Sequence, residues 1–140
     1  MSKFVVIGSN SFSGSSFVNY LIKNGHDAIG ISRSQELHPV FLPYKNIACD
    51  GFSFHQLDLN QDLREVLSTI VDFRPDYIVN FAAQGMVAQS WEKPSDWFQT
   101  NTVATIKLHD ELRKFDWLKK YVHVSTPEVY GSCSGLVKED

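Results

Sequence analysis

Apolar residues fall along the chain in two alternating kinds of run. KFVVIG, residues 3–8, is a short, largely β-branched block without polar alternation, the pattern of a parallel strand covered on both faces. From about Phe12 to Asn24 the apolar Phe17, Leu21 and Ile22 recur at helical spacing, and Gly25 stands where a helix stops. DAIGIS, residues 27–32, predicts a second strand. FSFHQLDL, residues 52–59, alternates as a third, and Leu63, Val66, Leu67 and Ile70 then mark a helix reaching Phe73 with Asn60 as its N-cap. YIVNFAA, residues 77–83, predicts a fourth strand. Pro94 suits a first helical turn, and Trp97, Ala104, Leu108, Leu112 and Phe115 share one face of a helix over 95–115, with the polar Asn101 on that same inner face. YVHVS, residues 121–125, predicts the last strand. Residues 35–50, with two prolines and no period, read as the least ordered stretch.

Strands that alternate with helices predict an α/β fold with a doubly wound parallel sheet, because right-handed crossovers force the strands parallel and put helices on both faces. Such sheets bind ligands beyond the carboxyl ends of their strands. The polar clusters of this chain lie at those ends.

A length of 140 residues suffices for one domain. The net charge of −3, with no cluster of Lys and Arg among aromatics, argues against nucleic-acid binding. The apolar run before Gly8 is too short for a signal-peptide core or a membrane span, and there is no repeat or low-complexity tract. Cys49 and Cys133 lack metal-type spacing and read as ordinary thiols, which suits a reducing cytoplasm. His26, His38, His55, His109 and His123 include no pair at ligand spacing, so no metal site is expected.

GSNSFSG, residues 8–14, follows the first strand and opens the first helix. A pyrophosphate site needs a tight turn there, close backbone approach and free N–H groups aimed at the anion. Gly8 supplies the turn and Gly14 the close helix-to-strand packing. Ser11 stands where a third glycine is usual, and it fits if its φ is negative, with its hydroxyl free to donate to a phosphate. Asn10 and Phe12 belong to the same turn. At the end of the second strand Ser32, Arg33 and Ser34 replace the carboxylate that would hold a ribose 2′-hydroxyl, which favours NADP over NAD. Asp58, with Leu59 beside it, either accepts from an adenine amino group or caps the helix behind it.

This junction, LDL at 57–59, NFAAQ at 80–84, SWEKP at 90–94, Asn101 and STPEVYG at 125–131 closely resemble the extended short-chain dehydrogenase/reductases. Among these the chain looks most like the nucleotide-sugar 4,6-dehydratases. The resemblance implies a Rossmann-type domain in which Phe81, Ala82, Ala83 and Gln84 lie under the ribose and nicotinamide. It makes Asn101 a buried asparagine fixing helix and strand geometry. Thr126 would hydrogen-bond the sugar O4, and Glu128 would remove the C5 proton from a nucleotide-sugar substrate. A temporary C4 ketone acidifies that proton, and two residues spaced on an extended strand end point the same way, toward neighbouring carbons.

Two departures qualify this. Pro127 stands where the dTDP-glucose 4,6-dehydratases carry an aspartic acid, which tilts the resemblance toward the GDP-mannose type. The family's catalytic tyrosine and lysine, in a Y-x-x-x-K pattern, lie beyond the VYG stretch and are absent, and Tyr130 is not that tyrosine. The 140 residues therefore read as the N-terminal, cofactor-binding portion of a longer enzyme, not expected to turn over substrate alone. A nucleotide-sugar epimerase or reductase, or a non-catalytic NADP-sensing protein, stays open as an alternative. Family members commonly form homodimers through two long helices, so exposed apolar residues are expected over 60–73 and 95–115.

Overall fold

Val5, Val6 and Ile7 show how the sheet forms: successive side chains leave opposite faces, and all three are buried. In the computed structural model, which describes residues 1–47 and 50–138, strands β1 (Lys3–Ile7), β2 (Asp27–Ser32), β3 (Phe52–Gln56), β4 (Tyr77–Asn80) and β5 (Lys120–His123) form one parallel sheet. Its order is β3-β2-β1-β4-β5. The chain runs outward from β1 to β3, then returns to the other side of β1. That reversal opens a crevice above the carboxyl ends of β1 and β4.

Helix α1 (Phe12–Lys23) covers one face, where Val18, Leu21 and Ile22 meet Val6 and Ala28. Gly25, at φ +72°, ends it. Helices α2 (Leu63–Phe73) and α5 (Thr105–Leu112) cover the other face, bringing Val66, Ile70, Leu108 and Leu112 onto Val5, Ile7, Ile29, Ile31 and Ile78. After β4 the chain forms α3 (Val87–Glu92), α4 (Pro94–Trp97) and a π-helical stretch (Phe98–Ala104) that leads into α5.

Several expectations are corrected. The third and fourth strands end at Gln56 and Asn80, short of Leu59 and Ala83. Asn80 ends its own strand by turning its side chain onto the N–H of Ala82 (2.8 Å). The helix predicted over 95–115 is interrupted, and Asn101 in its wide π turn is exposed rather than buried. Asn60 is not an N-cap. The capping position is Asp62, whose carboxylate instead accepts from the N–H of Asp58 (2.8 Å). The described part of 35–50 is packed: two 3₁₀ turns, Pro39–Phe41 and Pro43–Asn46, deliver Leu42 and Tyr44 into the core beside α1. Burial pushes the Tyr44 phenol up, and Glu36, which accepts its proton at 2.9 Å and pairs with Lys45, adds to the rise. Cys49 lies outside the described residues, and Cys133 is an exposed free thiol.

Candidate functional site

At the carboxyl ends of β1 to β4 a cavity of ≈ 260 Å³ opens. The turn after β1 contributes Gly8, Asn10 and Ser11. The end of β2 contributes Ser32, Arg33 and Ser34; the end of β3 contributes Asp58, Leu59 and Asn60; the end of β4 contributes Phe81, Ala82 and Ala83. Phe12, Gly14, Gln84 and Asn101 stand outside this lining, though three of them shape it.

Gly8 adopts φ +82°, which a side chain resists, and a Cβ on it would come 2.6 Å from the Ala82 nitrogen. A Cβ on Gly14 would come 2.2 Å from the Gly8 carbonyl oxygen. Both expected glycine roles therefore hold: one makes the turn, and the other lets α1 approach β1. Ser11 has φ −71°, and its Oγ accepts from the Gly14 N–H at 3.0 Å as the N-cap of α1. That bond leaves the hydroxyl proton free. The first-turn N–H groups of Phe12 and Ser13 have no intrahelical acceptor and carry the positive end of the helix dipole. The Phe12 ring itself is exposed. Replacing Ser11 with alanine is expected to cost about 1 kcal/mol of stability, read from urea unfolding, because the Gly14 N–H loses its acceptor.

Asn10 ties this turn to the loop after β2. Its Nδ2 donates to the carbonyls of Ser34 (3.0 Å) and Gln35 (2.8 Å) and approaches Ser34 Oγ (3.3 Å), while its Oδ1 is buried without a partner. The Ser32 hydroxyl accepts from the Asn10 N–H (3.0 Å) and meets the buried Ser9 Oγ (3.3 Å), and the residue lines the cavity. Arg33 and Ser34 remain at the rim. Arg33 reaches across the opening to donate from Nη2 to Gln84 Oε1 at 3.2 Å.

Asp58 closes an Asx turn, accepting from the Asn60 N–H (2.8 Å), and still lines the cavity. Asn60 and Thr100 join the site without a signal in the sequence. Asn60 Nδ2 donates to Thr100 Oγ1 (3.1 Å), joining β3's end to the π turn, and its Oδ1 is a second buried acceptor without a partner. Next in that turn, Asn101 clamps Gln84, accepting from its N–H (2.8 Å) and donating to its carbonyl (3.0 Å). Asn101 thus fastens the stretch after β4 from an exposed position. No spacing rule in the sequence flags such pairings across 17 and 40 residues.

Beside this cavity Asn80 Nδ2 donates to Tyr121 Oη (3.0 Å), and Tyr121 Oη lies 3.1 Å from His123 Nδ1. Burial raises the Tyr121 phenol. His123 is exposed as a residue, but its ring is shielded against these neighbours, and that desolvation, with His109 nearby, lowers its pKa. An unfolded histidine titrates near about 6.5, so the unfolded chain takes up this proton first as the pH falls. The stabilising contribution is complete above that value and is lost as the pH drops through the lowered folded pKa. The urea midpoint is expected to fall between about pH 7 and pH 5, and His123→Gln to flatten that part of the profile.

Thr126 has the extended backbone expected before a proline, φ −138° and ψ 148°. The strand, however, ends at His123, and Pro127–Tyr130 is a 3₁₀ turn, so Thr126 and Glu128 do not share one extended strand end. Both are exposed and outside the cavity lining. Among the described residues no three His, Cys, Asp or Glu side chains gather as a metal site, and no helix is long and apolar enough to cross a membrane.

A glycine cradle that excludes Cβ atoms and a helix N-terminus over it fit a ligand with an anionic centre. Solved structures share this arrangement of elements. A UDP-glucose 4-epimerase from Stenotrophomonas maltophila superposes with TM-score 0.82 at 20% identity, covering 96% of this chain and 40% of that one. A UDP-glucuronic acid 4-epimerase from Bacillus cereus, solved with UDP-glucuronic acid and NAD, superposes with TM-score 0.78 at 28% identity, covering 98% and 44%. In sequence, Protein CapI of Staphylococcus aureus is 29% identical over 93% of this chain and 39% of its own length. A dTDP-glucose 4,6-dehydratase of Neisseria meningitidis is 29% identical over 96% and 40%. The chain thus spans about two fifths of the relatives it matches. The family profile described as GDP-mannose 4,6 dehydratase matches residues 5–140. With that match over nearly its whole length, the chain belongs to the GDP-mannose 4,6 dehydratase family and is an extended short-chain dehydrogenase/reductase with a Rossmann-type fold.

Proposed function

We propose that these residues form the N-terminal, cofactor-binding part of a nucleotide-sugar 4,6-dehydratase that uses a nicotinamide dinucleotide, NADP before NAD. The observation that carries this reading is the cradle of Gly8, Ser11 and Gly14 under the N-terminus of α1, flanked by the cavity at the carboxyl ends of β1 to β4. Gly8 and the first-turn N–H groups hold the pyrophosphate. Asp58, Leu59 and Asn60 surround the adenine, and the 81–84 stretch, held by Asn80 and Asn101, supports the nicotinamide side. Arg33 at the rim, with Ser34 beside it, favours a ribose 2′-phosphate, since a planar guanidinium offers paired donors to phosphate oxygens. When bound, the dinucleotide supplies reversible hydride storage.

Thr126 donates to the sugar O4, holding C4 and C5 in register. Glu128 takes the C5 proton and, with proline at 127 offering no acid, returns a proton to the departing hydroxyl. On this reading the group that takes the O4 proton belongs to the rest of a longer protein, as the chain spans about two fifths of its relatives' length. Outward-facing Val71, Phe98 and Ile106, on and beside α2 and α5, support a homodimer through these helices. The exposed free thiol of Cys133 fits a reducing, cytoplasmic location.

The competing reading is a 4-epimerase, favoured by the likeness to the Bacillus cereus enzyme at 28% identity. The two differ at Glu128, because epimerisation at C4 needs no C5 base. In the protein made from its natural gene, Glu128→Gln is expected to lower C5 proton exchange and dehydration of a GDP-hexose by roughly 10²–10⁴-fold while sparing dinucleotide affinity. An undiminished rate with Gln at 128 rejects the dehydratase reading in favour of the epimerase.

A further inference from the structure

Arg33 is a cation with a single neutral partner. Its Nη2 donates to Gln84 Oε1 (3.2 Å), and among the described residues no carboxylate lies within ion-pair distance. The two residues come from opposite sides of the crevice, Arg33 from the end of β2 and Gln84 from beyond β4, with β1 between them. Both ends are anchored. The Arg33 carbonyl accepts from Gln56 Nε2 (3.2 Å), and the Gln84 backbone is clamped on both sides by Asn101. The guanidinium is therefore held at the rim of the opening by one bond to a neutral acceptor.

We propose that Gln84 sets the discrimination between 2′-phosphorylated and unphosphorylated adenosine ligands by competing for Arg33. A 2′-phosphate offers the guanidinium paired, charge-assisted bonds, but it must first take Arg33 from Gln84. The strength of the Arg33–Gln84 contact is subtracted from the gain, so the neutral amide at 84 tunes selectivity without touching the phosphate. This rests on the dinucleotide reading above and names a specificity residue within it.

The test is calorimetric binding of 5′-AMP and of adenosine 2′,5′-bisphosphate, which differ only in the 2′-phosphate, to the wild-type protein and its variants. The ratio of their dissociation constants is the readout. Gln84→Leu, which removes the acceptor, is expected to raise the preference for the bisphosphate roughly three-fold. Gln84→Glu, which holds Arg33 by an ion pair, is expected to lower it by about three-fold or more. Opposite signs from two substitutions at one position are not the result of a general loosening of the loop. Arg33→Ala is expected to lower the preference by roughly ten-fold or more and to abolish the effect of Gln84→Leu in the double variant. If Arg33→Ala lowers the preference while both Gln84 variants leave it unmoved, the competition is overturned and the NADP reading stands. If Arg33→Ala leaves it unmoved, the NADP reading falls and the competition with it.

Discussion

The Gly14→Ala chain is expected to lose about 3 kcal/mol of stability and, with it, measurable affinity for a dinucleotide. A methyl group at this position would sit 2.2 Å from the Gly8 carbonyl oxygen and 2.8 Å from Ser11 Oγ. The first obstacle is backbone in the turn between β1 and α1, so it cannot swing aside as a side-chain tip would. The second is the atom that caps α1. Relief requires α1 to slide away from β1, which uncovers Val18 and Leu21, both buried against the sheet. Gly85→Ala is the control, because nothing lies within 4 Å of the added atom and its φ is not positive. Urea unfolding of the two variants checks the contrast: equal midpoints would show that the approach of α1 to β1 is looser than described.

Asn80→Leu is expected to cost about 3 kcal/mol, although the replacement is apolar, similar in size and sits in a core. Asn80 is fully buried, and both ends of its amide are used, Oδ1 by the Ala82 N–H (2.8 Å) and Nδ2 on Tyr121 Oη (3.0 Å). Leucine would leave the Ala82 N–H without an acceptor and remove the Tyr121 partner while gaining little contact. Tyr121→Phe breaks only one of these bonds and is expected to cost about 1 kcal/mol. Denaturant midpoints of the two variants test this, and an Asn80→Leu chain as stable as the Tyr121→Phe chain would mean that the Ala82 bond contributes nothing. Since the Ala82 backbone also meets the Gly8 turn, the larger loss should carry the cavity with it.

Local chemistry makes much of this molecule legible from its residues alone. The β-branched blocks at 3–8 and 27–32, the glycines at 8 and 14 and the stop at 25 each express a backbone requirement, and such requirements are met within a few residues. What escapes such reading is settled by distant partners. Strand ends depend on Asn80 folding its own amide onto Ala82. Asn60 looks like a cap by position, yet its amide is drawn away by Thr100. Ser32 lines the cavity, and the hold of its hydroxyl on the Asn10 N–H and Ser9 is set by partners 22 and 23 residues away. The irregular 35–47 stretch hides two buried side chains, Leu42 and Tyr44, because proline-led 3₁₀ turns have no period to betray them. An extended strand end is the expectation for Thr126 and Glu128, and Pro127 turns the chain between them.

The π-helical stretch Phe98–Ala104 holds two successive residues, Thr100 and Asn101, that grip opposite walls of the crevice. A π turn carries one residue more than an α turn, and rewinding it would rotate what precedes by about 100° relative to α5. Such a rotation withdraws both side chains together. The wall at β3 and the wall at β4 therefore share one fastening, a single short stretch of backbone.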